Sequence, residues 1–329
     1  PTTRVSRPDA PRTPPRPPHN DTTAKGSPSK MEETMAALQN DGEEDNAELL
    51  ALQRIDETCT NFQQNGQYLE ALECMERGLV LRQHFFGAGS DEVWRACKTV
   101  GEMCNLLAMT YLQQEDFAMV LELLKKAEIL TERDPAGRAV TFNNLACYYR
   151  RQGKLHAALQ YLQKALKIEG RLESVDNPAD TYLNACAVLS QLGRHQSALE
   201  HAQQALILLQ EELSSVLGSD NAGPPKADRV AVLAIAYHNV GVEQEFLKKH
   251  NQSLQSYRKG VEVAERYLGG DHAITSTLRN SCVAARRTML ARDPQARLQG
   301  MGKKAARRAP GGVVDKTLKK VGGMISPRG

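Results

Sequence analysis

Small and apolar residues recur along this chain at helical spacing, and they return in register over most of its length. In the segment from Asn143 to Ile168, NNLACYYRRQGKLHAALQYLQKALKI, residues Ala146, Ala158 and Ala165 sit where two antiparallel helices must press backbone against backbone. Aligning the chain on that spacing places Cys59, Ala108, Ala146, Cys186, Gly241 and Cys282 at one equivalent site. Gly78, Ala127, Ala165, Ala205 and Gly260 fall at a second. A third set, Ala71, Val120, Ala158, Ala198 and Ser253, lies seven residues earlier, two turns away on the same face. The pattern predicts paired helices at 48–65 and 68–85, 91–114 and 117–132, 137–152 and 155–172, 178–192 and 195–216, and 228–248 and 251–268, closed by a cap at 272–290. The stretch from Gly218 to Ala227 should be an exposed loop, because Pro224 and Pro225 cannot continue a helix.

These residues resemble the tetratricopeptide repeat superfamily. The central copy carries the helix A signature as Phe142, Leu145, Ala146 and Tyr149, then the turn glycine Gly153, then Ala158, Leu162 and Ala165 in helix B. Neighbouring copies keep it with losses: Ile55, Cys59, Phe62, Gly66, Tyr68 and Ala71 in the first, Leu107, Ala108, Tyr111 and Phe117 in the second, and Tyr182, Gly193, Ala198 and Ala205 in the fourth. The fifth keeps Tyr237, Gly241, Tyr257 and Gly260 but has no turn glycine. Equivalent small residues lie 49, 38, 40 and 55 positions apart, against roughly 34 for the plain unit. Two joints, HFFGAGSDEVWRACKTV from His84 and ERYLGGDHAITSTLRNS from Glu265, look like the longer units of kinesin light chains, with Asp91 and Asp271 as helix N-caps. The resemblance implies an all-α fold, a right-handed superhelix or α-solenoid of about five helical hairpins plus a capping helix, over residues 46–290.

In that family helix A lines the concave face. Asn144 lies two before the buried Ala146, with Asn184, Asn239 and Asn280 equivalent to it and Asn105 and Asn143 one step earlier. A ladder of carboxamides offers donors and acceptors to an extended peptide. Arg150, Arg151, Arg286 and Arg287 follow on the same helices and would add charge selection. The competing reading is that these asparagines bond to neighbouring helix backbones or cap turns. The chaperone-tail clamp of some family members is not carried over, since Cys147, Ala187 and Val242 stand where its second asparagine belongs.

Composition fits such a fold: of 329 residues, 41% are hydrophobic and only 5% aromatic, which gives a long core without a β-rich stretch. The longest apolar run, Val230 to Tyr237, is too short to span a bilayer, which makes the cytoplasm the default compartment. None of the seven cysteines forms a CxxC pair, so buried reduced thiols are expected. Neither HExxH nor GxSxG nor GxxxxGK[ST] occurs, and His156 and His195 read as surface or structural groups at the starts of helix B. No catalytic, cofactor or metal residues are therefore assigned.

Charge divides the chain. Residues 1–30 carry six Lys/Arg against two Asp, a net +4, and residues 291–329 carry ten against two, a net +8, leaving −9 for the middle of a chain whose total is +3. Residues 1–45, Pro/Arg-rich and then acidic, and residues 291–329 are expected to be disordered. The first contains RxxPxxP at Arg12, Pro15 and Pro18 and PxxPxR at Pro11, Pro14 and Arg16, a weak signal for an SH3 domain. The first methionine is Met31, which leaves the assignment of the start open. The basic pairs Lys303–Lys304, Arg307–Arg308 and Lys319–Lys320 suit an anionic surface, whether acidic protein tails such as those on microtubules, an anionic membrane or nucleic acid; charge alone does not rank these, and nucleic acid is not the partner expected. Thr13, Ser27 and Ser326 precede proline, where phosphorylation would reduce the tail charge. The sequence thus reads as a non-enzymatic adaptor or scaffold, cytoplasmic and with a cytoskeletal or ciliary setting in view. The alternatives are a structural component packed through its outer face and the regulatory subunit of an enzyme.

Overall fold

The computed structural model describes residues 30–217 and 225–292, with side chains for 47–214 and 225–291. Among these residues there are eleven helices and no strand: α1 (Lys30–Gln64), α2 (Tyr68–Phe86), α3 (Asp91–Gln114), α4 (Phe117–Leu130), α5 (Pro135–Arg151), α6 (Leu155–Glu169), α7 (Pro178–Gln191), α8 (His195–Leu217), α9 (Ala227–Phe246), α10 (His250–Tyr267) and α11 (Ala273–Arg292). The chain divides into two compact units after Ala51. In the first, α1 begins at Lys30, well before the expected 48. The sequence from Met31 is rich in Glu, Ala, Met and Leu, good helix formers, and Gly42 alone interrupts it.

The second unit is an α-solenoid. Helices α3 and α4, α5 and α6, α7 and α8, and α9 and α10 pair as hairpins; the odd-numbered helices from α3 to α11 also touch side by side, and α11 closes the series against α9 and α10. All but one of the sixteen small positions are buried. At the crossings Ala71, Ala108, Ala127, Ala158, Ala165, Ala198 and Ala205 have no exposed surface at all. Core leucines fill the gaps between crossings, among them Leu124, Leu145, Leu162 and Leu209.

The turns between paired helices share one backbone solution. Gly66, Gly153 and Gly193 adopt φ of 73°, 72° and 70°. The second and fifth hairpins lack the glycine, yet Glu115 and Lys248 take the same left-handed conformation at 64° and 61°. The turn geometry is imposed by hairpin packing even where the side chain opposes it. The caps also differ from expectation. At α3 the N-cap is Ser90, whose hydroxyl accepts from the Val93 amide at 3.3 Å, and not Asp91. At α11 the Nδ1 of His272 accepts from the Ile274 amide at 3.3 Å, in place of Asp271. The loop foreseen at 218–227 lies outside the described residues up to Pro224, and α9 starts at its last position.

Candidate partner-binding face

The odd-numbered helices present their polar residues to one another. On α3, the Asn105 Nδ2 donates to Thr141 Oγ1 of α5 at 2.9 Å and to its own helix at Gly101 O, 3.1 Å. Its Oδ1 accepts from Asn144 Nδ2 at 3.0 Å. One helix further on, Asn143 Oδ1 accepts from Asn184 Nδ2 of α7, also at 3.0 Å. All four asparagines are buried. The structure thus brings Asn105, Asn143, Asn144 and Asn184 together as a seam between repeats, with the amide donors of Asn105, Asn144 and Asn184 directed at neighbouring helices. The Oδ1 of Asn144 is the one buried carboxamide oxygen in this seam without a partner. Asn239 is half-buried and Asn280 is exposed, so the ladder does not continue at its far end.

The arginines divide in the same way. Arg150 is half-buried, while exposed Arg151 reaches Glu115 at 3.7 Å. Arg286 and Arg287 are exposed on α11. The basic pairs at 303–304, 307–308 and 319–320 lie outside the described residues.

Ion pairs extend the seam. Arg229 of α9 joins Glu212 of α8 at 2.7 Å and Asp180 of α7 at 3.2 Å. Burial pushes the Asp180 carboxyl above the usual range even beside that guanidinium. His195 takes the structural of the two expected roles: its Nδ1 lies 2.9 Å from Glu243 Oε2, on a carboxylate only 2% exposed, and its ring stacks on Phe246 at 4.0 Å. His156 is exposed, as expected. His238 of α9 meets Ser281 Oγ of α11 at 3.1 Å. Burial pushes the thiols of Cys59 and Cys104 up to about 12, which leaves them protonated and poorly reactive.

Open clefts among the described residues include two formed around α3. One, of about 440 Å³, runs between α1, α2 and α3, lined by Asp56, Thr60, Gln63, Met75, Glu92 and Thr99 among others. Its charges are partly answered internally, with Arg82 2.6 Å from Asp56 and Arg95 2.8 Å from Glu92. The other, of about 420 Å³, lies where α3 meets the α4–α5 turn, with Arg133 stacked over Trp94 at 4.0 Å. Sequence reasoning missed both. Trp94, the only tryptophan, was a signal for the second; the first joins residues from three helices and has no local signature. Among the described residues, no group of three His, Cys, Asp or Glu could hold a metal, and no helix is long and apolar enough to cross a membrane.

Residues 96–169 match the tetratricopeptide repeat family model. That segment consists of tetratricopeptide repeats. The structure of BtubC (BKLC) from P. vanneervenii superposes with a TM-score of 0.51 at 19% identity, covering 77% of this chain and 98% of that one. Similar solved structures also include the apo form of RapI (TM-score 0.47, 12% identity, 76% and 75% covered) and a putative kinesin light chain of Podosopora anserina with nearly identical TPR-like repeats (0.43, 14%, 65% and 95%). A curated relative, the clustered mitochondria protein homolog of Ajellomyces capsulatus, is 28% identical over 124 residues, which is 36% of this chain and 10% of that protein. The match thus spans about a tenth of that relative. The fold is one of protein–protein interaction and scaffolding.

Proposed function

We propose that the protein is a non-enzymatic adaptor that holds a peptide or helix of a partner protein on the face of its odd-numbered helices. The basic tail tethers the complex to an acidic polymer such as microtubules in the cytoplasm. The observation that carries this reading is the open cleft between α1, α2 and α3, where the side-chain oxygens of Thr60, Gln63 and Thr99, whose donors go to Asp56 O, Met75 Sδ and Arg95 O, can accept hydrogen bonds beside the apolar Met75. The asparagine seam supports it indirectly: Asn105, Asn143, Asn144 and Asn184 tie α3, α5 and α7 to one another by side-chain hydrogen bonds. The charge asymmetry supports the tether, because lysine and arginine pairs on a polyanion bind by releasing counterions.

The test uses the full chain and two variants, partner pull-down being followed by co-sedimentation with microtubules across a salt series. Filling the cleft with Thr60→Arg and Thr99→Arg should abolish partner recovery and leave salt-sensitive sedimentation intact. Changing Lys303, Lys304, Arg307 and Arg308 to Ala should do the reverse. Identical behaviour of both variants in both assays overturns the division of labour.

A further inference from the structure

The last described helix, α11, has the pattern of a helix A, and no hairpin partner follows it among the described residues. Cys282 of α11 is equivalent to Ala146 and Cys186, which are sealed by the second helix of their hairpins, yet Cys282 stays half-exposed with Met289 beyond it. It is the single small position not buried in the series. The neighbouring face is basic and partly apolar. Arg279, Val283 and Arg286 follow at i, i+4 and i+7, with Arg287 beside them, and Val283 is 47% exposed. α11 contains no Asp or Glu. Arg279 is held by Glu265 at 2.6 Å, but among the described residues Arg286 and Arg287 make no ion pair.

The opposite end has the complementary pattern. On α2, Leu69, Glu73 and Val80 share a face at i, i+4 and i+11, the two apolar residues 41% and 64% exposed, with exposed Glu70 alongside and with Arg77 4.0 Å from Glu73, which leaves two carboxylates against one guanidinium there. The charge runs the same way on a larger scale. Residues 52–132 carry 13 Asp/Glu against seven Lys/Arg, whereas residues 226–292 carry six against 11. We propose that the protein associates head to tail with itself, the apolar and acidic face of α2 in one copy seating on the open, basic face of α11 in the next. A second copy fits this face better than the chain's own C-terminal segment, because that segment is as basic as α11 and would be repelled from it. The contact is heterologous, so each added copy leaves both ends free and the product grows with concentration. This does not depend on the adaptor reading, since the cleft lies on different residues.

Light scattering and sedimentation equilibrium on the full chain test the idea. Mass should rise with concentration at low salt and return to the monomer at about 1 M salt, where the screening length falls to about 3 Å. Arg286→Glu with Arg287→Glu should weaken association by about tenfold or more, as should Glu70→Lys with Glu73→Lys. Each variant alone should associate about tenfold or more weakly than wild type, and an equimolar mixture should regain association, because each supplies the intact face the other lacks and the two reversed faces are themselves complementary. Val283→Ser, a milder change, should weaken association without altering its salt dependence. A wild type that is monomeric at every concentration and salt overturns the proposal. So does a mixture that stays monomeric, or a reversed variant that associates like wild type. Assembly lost only when residues 293–329 are removed would assign the contact to the tail instead.

Discussion

A carboxamide between two helices must be satisfied there or cost its full desolvation, and the seam shows how tightly that is managed: Asn105 alone touches Thr141, Asn144 and Gly101. The same logic gives His238 a pH signature. Burial holds its imidazole down at about 4, against an ordinary 6.5, so the folded chain keeps it neutral where the unfolded chain would protonate it. The unfolded state therefore binds the extra proton between about 6.5 and about 4. The stability linked to this residue is complete above that window and is lost as the pH falls through it. The groups facing it are neutral, Ser281 at 3.1 Å and the Tyr257 ring at 5.5 Å. Glu169 and Asp180, whose carboxyls burial pushes up, work in the opposite direction and favour the fold as the pH drops. The difference between wild type and His238→Gln isolates the histidine. Denaturant midpoints from pH 7 to 4 should fall more steeply for wild type, by of order 1 to 3 kcal/mol over the window. Parallel curves would mean that His238 titrates normally in the fold.

At the scale of the hairpin, the turn residue decides a smaller sum. Lys248 holds a left-handed conformation that costs a side-chain-bearing residue about 1 to 2 kcal/mol, while glycine pays about 0.5 to 1 kcal/mol in unfolded-state entropy. Its side chain is exposed and forms no ion pair among the described residues, so Lys248→Gly should stabilise by about 0.5 to 1 kcal/mol and raise the thermal midpoint by about 2 °C. A lower midpoint would show that the lysine contributes something in place. Most of the hairpin structure was legible in the sequence for a related reason: small residues at crossings leave a spacing that no other arrangement requires, and α3 from Asp91 to Gln114 falls where that spacing put it. What was not legible depended on partners distant in sequence. Ser90 and Asp91 are equally good caps on paper, and only the backbone at Ser90 makes it the cap. Asn143 and Asn184 lie 41 residues apart. A carboxamide that serves a peptide and one that serves the next helix look the same until the packing of α5 against α7 is known.

The whole array inherits its stability from contacts between neighbours, since each hairpin leans on the ones before and after it. The central hairpin is the most enclosed: every residue of α5 from Thr141 to Tyr148 is buried. Ala158 lies at its crossing with no exposed surface. Enlarging it to Leu leaves no space for the added atoms and should cost about 1 to 3 kcal/mol through displaced side chains and backbone. That cost should not remain local. Displacing α6 from α5 shifts both halves of the seam, because Asn144 reaches back to α3 and Asn143 forward to α7. Native-state hydrogen exchange should therefore show protection falling in α3 and α7 as well as in α5 and α6, while α10 and α11, several interfaces away, change least. Gln160→Leu, two residues on at an exposed position, controls for the added apolar surface and should leave the exchange pattern unchanged. Loss confined to α5 and α6 would make the repeats independent, and the seam would then be a local feature of each interface with no role in coupling the array.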